Sequence, residues 1–308
     1  MLQPPYRFYR KAFGPLLLPA CVVWALAPVV VAQEQEKHTI FVKYANNQND
    51  DYFKVRDQYF IDLLTLAAKY SGAKISLVPT KMTNQVESRV VLSVEEGVLD
   101  VHWLHTNDQL ESELLPIRIP LYKGLIGWRL MLIRQEDRDL LKGITSVETL
   151  RQFPVLQSFD WPDTPILKAS GFEVESSVDF RSLFRMLRHR RADMFPRSVV
   201  EIWGELDDQS SLNLMVDPYI TLYYPTAYYF FVAKDNKNLR DLLELGLTRA
   251  IENNDFEQHF QKHFSEVIKK AKLTERTLIS IKNPNLPALT PLDKKYLWFT
   301  PEKIIVNP

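Results

Sequence analysis

Residues 117–134 read Ile-Arg-Ile-Pro-Leu-Tyr-Lys-Gly-Leu-Ile-Gly-Trp-Arg-Leu-Met-Leu-Ile-Arg. The second half, residues 128–133, is apolar apart from one arginine, a run long enough for a strand buried on both faces. The first half carries Pro120, Gly124 and Gly127, which permit sharp changes of direction. A run of the same character, residues 223–233 (Tyr-Tyr-Pro-Thr-Ala-Tyr-Tyr-Phe-Phe-Val-Ala), follows later. Two such strands, enclosing roughly one domain's length of chain, predict that the chain leaves one lobe at the first and returns at the second. The expectation is an α/β protein of two lobes joined by two crossover hinge strands.

The segments on either side agree with this. Strand patterns at 38–44, 74–79 and 98–106 alternate with helical patterns at 56–70 and 83–96, the rhythm of an α/β lobe with a largely parallel sheet. Between the crossings the rhythm repeats. Short strands are expected at 155–158, 173–177, 192–196 and 212–216, with helices at 146–150, 164–170, 180–191 and 198–206. Helices at 239–252 and 256–272 follow the second crossing. The tail from Leu273 holds five of the nineteen prolines and an aromatic Tyr-Leu-Trp-Phe at 296–299. It reads as an extended arm on the first lobe, or as a partner contact.

The first 32 residues differ from the rest. Arg7, Arg10 and Lys11 precede an uncharged run from 15 to 32, with Val30 and Ala32 at the positions a signal peptidase reads. A cleaved secretory signal is expected, although the run approaches the length of a membrane span. The expected division is a signal peptide at 1–32, a discontinuous first lobe of 33–127 and 228–308, and a second lobe of 128–227. Cleavage removes the one cysteine, Cys21, and three basic residues, leaving 35 basic against 38 acidic. The exported chain would then have no disulfide and rest on its core alone. With 38 basic and 38 acidic residues in all and no basic stripe, no nucleic-acid partner is expected.

No nucleophile motif, glycine-rich phosphate loop or paired-carboxylate signature is present, so no enzymatic activity is expected. His102 and His105 point to opposite faces of a strand. His259 and His263 have ligand spacing on a helix, but no third ligand is evident and they read as surface residues, so no metal or cofactor is expected. Binding has more support. Trp103 and Trp161 stand at a strand end and in a polar turn, where aromatics can wall a cleft, and Tyr228 opens the returning strand. Core packing is the ordinary alternative for each aromatic. Arg129 interrupts an apolar strand and Arg197 follows Met-Phe-Pro, so each needs either an internal carboxylate or a ligand anion. Asp163 and Glu201 are the candidate internal partners.

The order of segments resembles the periplasmic solute-binding proteins of the type II, amino-acid-binding kind, over about residues 38–270. Phe60-Ile61-Asp62-Leu63-Leu64 is similar to that family's first-helix motif. Glu95-Glu96-Gly97-Val98-Leu99-Asp100 is similar to its pattern before the third strand. Thr106, Pro120-Leu121-Tyr122, Ser146-Val147-Glu148-Thr149-Leu150 and Arg191-Ala192-Asp193 match further segments in order. Lys-Gly-Leu-Ile-Gly-Trp-Arg, Asp-Trp-Pro-Asp-Thr-Pro-Ile-Leu and Phe-Pro-Arg-Ser-Val-Val-Glu-Ile resemble a bacterial branch classed as transporter substrate-binding domains.

The resemblance implies a monomeric periplasmic protein of a Gram-negative bacterium that closes on a small organic solute for an ABC-type permease or a sensor. Its ligand contacts would come from Trp103, Thr106, Arg129, Trp161, Asp163, Thr164, Arg197 and Tyr228. The departures matter. An arginine, Arg197, stands where the family places an acid for an α-amino group. Trp161-Pro162-Asp163-Thr164 replaces the Gly-Thr-Thr loop, and the family's carboxylate-binding arginine has only Gln109 near its place. These imply an anionic, carboxylated or aromatic solute rather than an ordinary α-amino acid. The rival expectations are a signalling or protein-interaction module on the same scaffold, its arginines paired internally, and, behind it, an enzyme.

Overall fold

The computed structural model describes residues 38–46, 51–82 and 87–301. The expected signal segment lies outside them, as does the start of the second expected helix.

Strand β1 (Ile40–Asn46) runs parallel to β2 (Ile75–Lys81), and helix α1 (Asp51–Tyr70) connects them. A parallel bridge from Tyr44 to Val101 sets β3 (His102–His105) on the other side of β1. The chain then makes α2 (Glu87–Glu95) before β3, and after it α3 (Asp108–Glu113) and β4 (Leu114–Ile117). Asn107 caps α3, its side-chain oxygen accepting from the Leu110 N–H at 2.8 Å.

The segment from 118 to 127 crosses to a second group of strands. There β5 (Trp128–Arg134) lies between β8 (Phe195–Ser198) and β9 (Leu214–Tyr223), antiparallel to both. All seven β5 residues are buried, as the apolar run predicted. The parallel pair β6 (Val155–Ser158) and β7 (Val174–Ser177) joins this group through a bridge from Val155 to Met194. Around it lie α4 (Val147–Leu150), α5 (Asp163–Ala169), α6 (Phe180–Arg188) and α7 (Ile202–Asp208).

The chain returns through 224–227 into β10 (Tyr228–Ala233), which inserts antiparallel between β3 and β4. Helices α8 (Lys237–Glu252) and α9 (Asp255–Ala271) then pack beside α1. The contact of α1 and α8 depends on Gly246, where an added Cβ would stand 1.9 Å from the Ala67 carbonyl oxygen.

The sheets are largely parallel, as expected, with one reversal in each: β10 in the first and β5 in the second run antiparallel to both neighbours, because each arrives from the opposite lobe. Two expectations need correction. The strand expected at 212–216 continues to Tyr223, and the short β4 was not foreseen. The arm is not confined to the first lobe. Residues Thr277–Ser280 form β11, parallel to β9 on the edge of the second sheet. The arm then passes both crossings: the Asn283 side chain donates to the Pro225 carbonyl at 2.9 Å, and the Phe299 N–H donates to the Lys123 carbonyl at 2.6 Å. Its aromatic cluster packs inward at Leu297, Trp298 and Phe299, while Tyr296 stays exposed.

Candidate functional site

A cleft of about 400 Å³ opens where the β3–α3 turn faces the β6–α5 turn, within the size range of small-ligand sites. Thr106 and Asp108 line it from one side, Asp160 and Trp161 from the other, and Glu87 of α2 closes one edge. Asn283 and Asn285 bring the arm to the rim, with Thr226 at the returning crossing.

Of the expected contact residues, Thr106 and Trp161 line this cleft. Thr106 is buried. Its hydroxyl donates to Glu111 at 2.7 Å, and its N–H donates to the Ala227 carbonyl at 3.0 Å. Thr164 turns inward, its hydroxyl donating to the Ser158 carbonyl at 2.6 Å, which fixes the β6–α5 turn. Trp103 stacks on Phe60 with ring centres 5.1 Å apart, and Tyr228 packs edge-on against His105 at 4.2 Å. Trp103 belongs to the main hydrophobic core, Tyr228 packs against it, and neither lines the cleft.

Arg129, Asp163 and Arg197 stand together behind the Trp161 wall. Arg129 is 1% exposed, donates from Nη2 to Asp163 Oδ1 at 2.7 Å and lies 3.7 Å from Glu201. The Tyr224 hydroxyl donates to the same Asp163 oxygen at 2.6 Å. Arg197 is 4% exposed, donates from Nε to Glu205 at 2.6 Å and pairs with Glu201 at 3.1 Å. Its guanidinium carbon sits 4.4 Å from the Trp161 ring centre, so the indole face turned inward is taken by a cation of the chain itself.

Two guanidinium groups thus meet three carboxylates, and a third arginine, Arg56, lies near enough to act on Glu201 as well. Burial pushes the Asp163 carboxyl upward, but Arg129, His105, the Tyr224 hydroxyl and Arg197 together outweigh it, and the group titrates below its usual range. Glu201 behaves the same way, burial being outweighed by Arg197, Arg129 and Arg56 together. Glu87 goes the other way: burial, with Asp160 and Asp163 nearby, pushes its carboxyl up to about 7. Among the described residues, no positive group offsets this.

Asp163 and Glu201 are partners the arginines were expected to need; Glu205 and the acidic rim were not foreseen, nor was the Tyr224 hydroxyl as a donor to Asp163. Glu205 lies one helix beyond Arg197 and carries no local mark. Asn283 and Asn285 reach the cleft only because β11 carries the arm across the second sheet.

No family model matches the chain, and no curated protein does. Solved structures do. The chain is similar to the probable amino-acid ABC transporter extracellular-binding protein ytmK of Bacillus subtilis at 16% identity and TM-score 0.55, covering 74% of this chain and 98% of that one. It is similar to a histidine kinase sensor domain with similarity to periplasmic binding proteins, at 14% identity and TM-score 0.52, over 74% of this chain and 97% of that one. It also matches an ancestral arginine-binding protein bound to arginine, at 14% identity and TM-score 0.51, over 73% and 98%. The chain therefore has the two-lobe, type II fold of periplasmic solute-binding proteins, as the sequence resemblance implied. The structures it resembles are binding proteins and sensor domains. No helix among the described residues is long and apolar enough to cross a membrane.

Proposed function

We propose that this chain is a periplasmic solute-binding protein whose lobes close on a small organic cation for an ABC-type permease or a sensor. One observation carries the choice of charge. Arg129 and Arg197, the groups that would receive an anion, are buried against Asp163, Glu201 and Glu205. Glu87, Asp108 and Asp160 meanwhile line the cleft, with the Phe159 and Trp161 rings beside them. A carboxylate rim with aromatic walls suits an ammonium or guanidinium group. The expected preference for an anionic solute gives way on this ground, while the aromatic wall retains its role. Closure follows if the bound cation draws both acidic rims together, stabilising the closed state over the open one.

The test is titration calorimetry with arginine, a diamine and a quaternary ammonium compound. At least one should bind, and Glu87→Gln combined with Asp160→Asn should weaken it at least tenfold, about 1.4 kcal/mol. Binding unchanged in that double variant would overturn the reading.

The internal pairing of both arginines and the arm laid across both crossings also favour a second reading, a signalling or protein-interaction module that keeps the clamp without a solute. No response to any organic cation, anion or sugar would select it.

A further inference from the structure

On the outer side of the first lobe, α1 and α9 bring three candidate ligands together. Asp62 of α1 and His259 and His263 of α9 place one ligand atom each within 4.8 Å of one another. The two histidines lie one helical turn apart, so they share a face of α9. The carboxylate that sequence alone could not supply comes from α1, which packs alongside.

The polar partners leave the inward atoms for a ligand-binding role. Gln58 donates to Asp62 Oδ1 at 2.6 Å, so Oδ2 faces His263. His259 Nε2 lies 3.0 Å from the Tyr59 carbonyl oxygen. A carbonyl only accepts, so Nε2 carries the proton and the other ring nitrogen carries the lone pair. Stacking on Tyr59, with ring centres 4.8 Å apart, holds that imidazole in place. An imidazole whose second nitrogen donates to a backbone carbonyl is the usual outer support of a metal ligand. Among the described residues His263 Nε2, which is buried, has no hydrogen-bond partner, and it stands 3.9 Å from Asp62 Oδ2. That separation is too long for a hydrogen bond. It is close to the span of two ligands on one ion, since donors about 2.0–2.2 Å from zinc lie roughly 3.3–3.6 Å apart in a tetrahedron.

We propose that Asp62, His259 and His263 bind one divalent transition-metal ion, zinc in the first instance, at the α1–α9 contact. The ion would take three protein ligands and keep at least one position open toward the shallow hollow beside it, which Asp62, Thr65 and Lys262 help to line. A nitrogen-rich set with one carboxylate suits zinc and its neighbours in the d-block, and not magnesium or calcium. The hollow and the solute cleft share no lining residue, so the two sites are independent.

The experiment is a titration of the tag-free protein with cobalt(II), read by its visible ligand-field absorption, followed by displacement with zinc. One ion per chain is expected, together with a rise in Tm. Asp62→Asn and His263→Gln should each weaken binding at least about tenfold. Both positions are partly exposed, and circular dichroism should show each variant folded. Absence of stoichiometric binding, or binding that both variants retain at wild-type affinity, would overturn the proposal.

Discussion

Trp298 of the C-terminal arm lies over Gly124 at the first crossing, so closely that a β-carbon on Gly124 would stand 2.3 Å from Trp298 Cε3. Gly124 also has φ near +70°, a conformation that costs other residues about 1–2 kcal/mol. Gly124→Ala should therefore destabilise the protein by about 1–3 kcal/mol in urea unfolding. Trp298→Ala should relieve part of that loss in the double variant, with a coupling of about 0.5–3 kcal/mol. Strict additivity would mean that the indole and the glycine do not constrain each other.

The buried Arg129–Asp163 pair makes a second prediction. Removing one member leaves the other charged and without its partner in the core, a loss of about 3–5 kcal/mol. Asp163→Ala should lower thermal stability accordingly, with far-UV circular dichroism as the readout. The acid limb of the stability curve should move too. Asp163 titrates below its unfolded value, so it contributes stability above that value, and this is lost as pH falls through the lower folded one. Asp163→Ala should flatten the loss of stability below about pH 4.

Glu87 has the opposite sign. Its folded carboxyl titrates near 7, above the unfolded value, so the folded state holds the proton more tightly. Its contribution is fully present below the unfolded value of 4.5 and is lost as pH rises through about 7. Glu87→Gln should make the protein more stable than wild type at pH 8 and leave it near wild type at pH 4. A bound cation favours the ionised carboxylate, so affinity should rise from pH 6 to pH 8 with proton release. Calorimetry in two buffers of different ionisation enthalpy would detect that proton.

Much of this architecture was legible because β5 and β10 are buried on both faces, and such strands announce themselves as unbroken apolar runs. Arg129 and Arg197 stood out against those runs, and the need for partners followed from the cost of a buried charge. The identity of the partners did not. Asp163 and Glu201 were within reach of a guess, but Glu205 is placed by the way α7 folds back on β8. The acidic cleft was hidden for a related reason: Glu87, Asp160 and Asn285 come from segments far apart in the chain. β11 is four residues long, too short for a periodic signal, yet it decides where the arm runs. His259 and His263 showed ligand spacing, while Asp62 looked like part of a helix motif until α1 was set beside α9.

The central claim is that the cleft receives a positive charge. A thermal-shift screen of the purified protein against organic cations, dicarboxylates, aromatic acids and neutral sugars tests it most directly. A ligand at one hundred times its Kd adds roughly 2.7 kcal/mol of stability, a rise of a few degrees in Tm for a chain of this size. The account predicts that the rise appears with amines or guanidinium compounds and disappears in the Glu87→Gln, Asp160→Asn double variant. A rise confined to dicarboxylates or aromatic acids, with every cation silent, would contradict it.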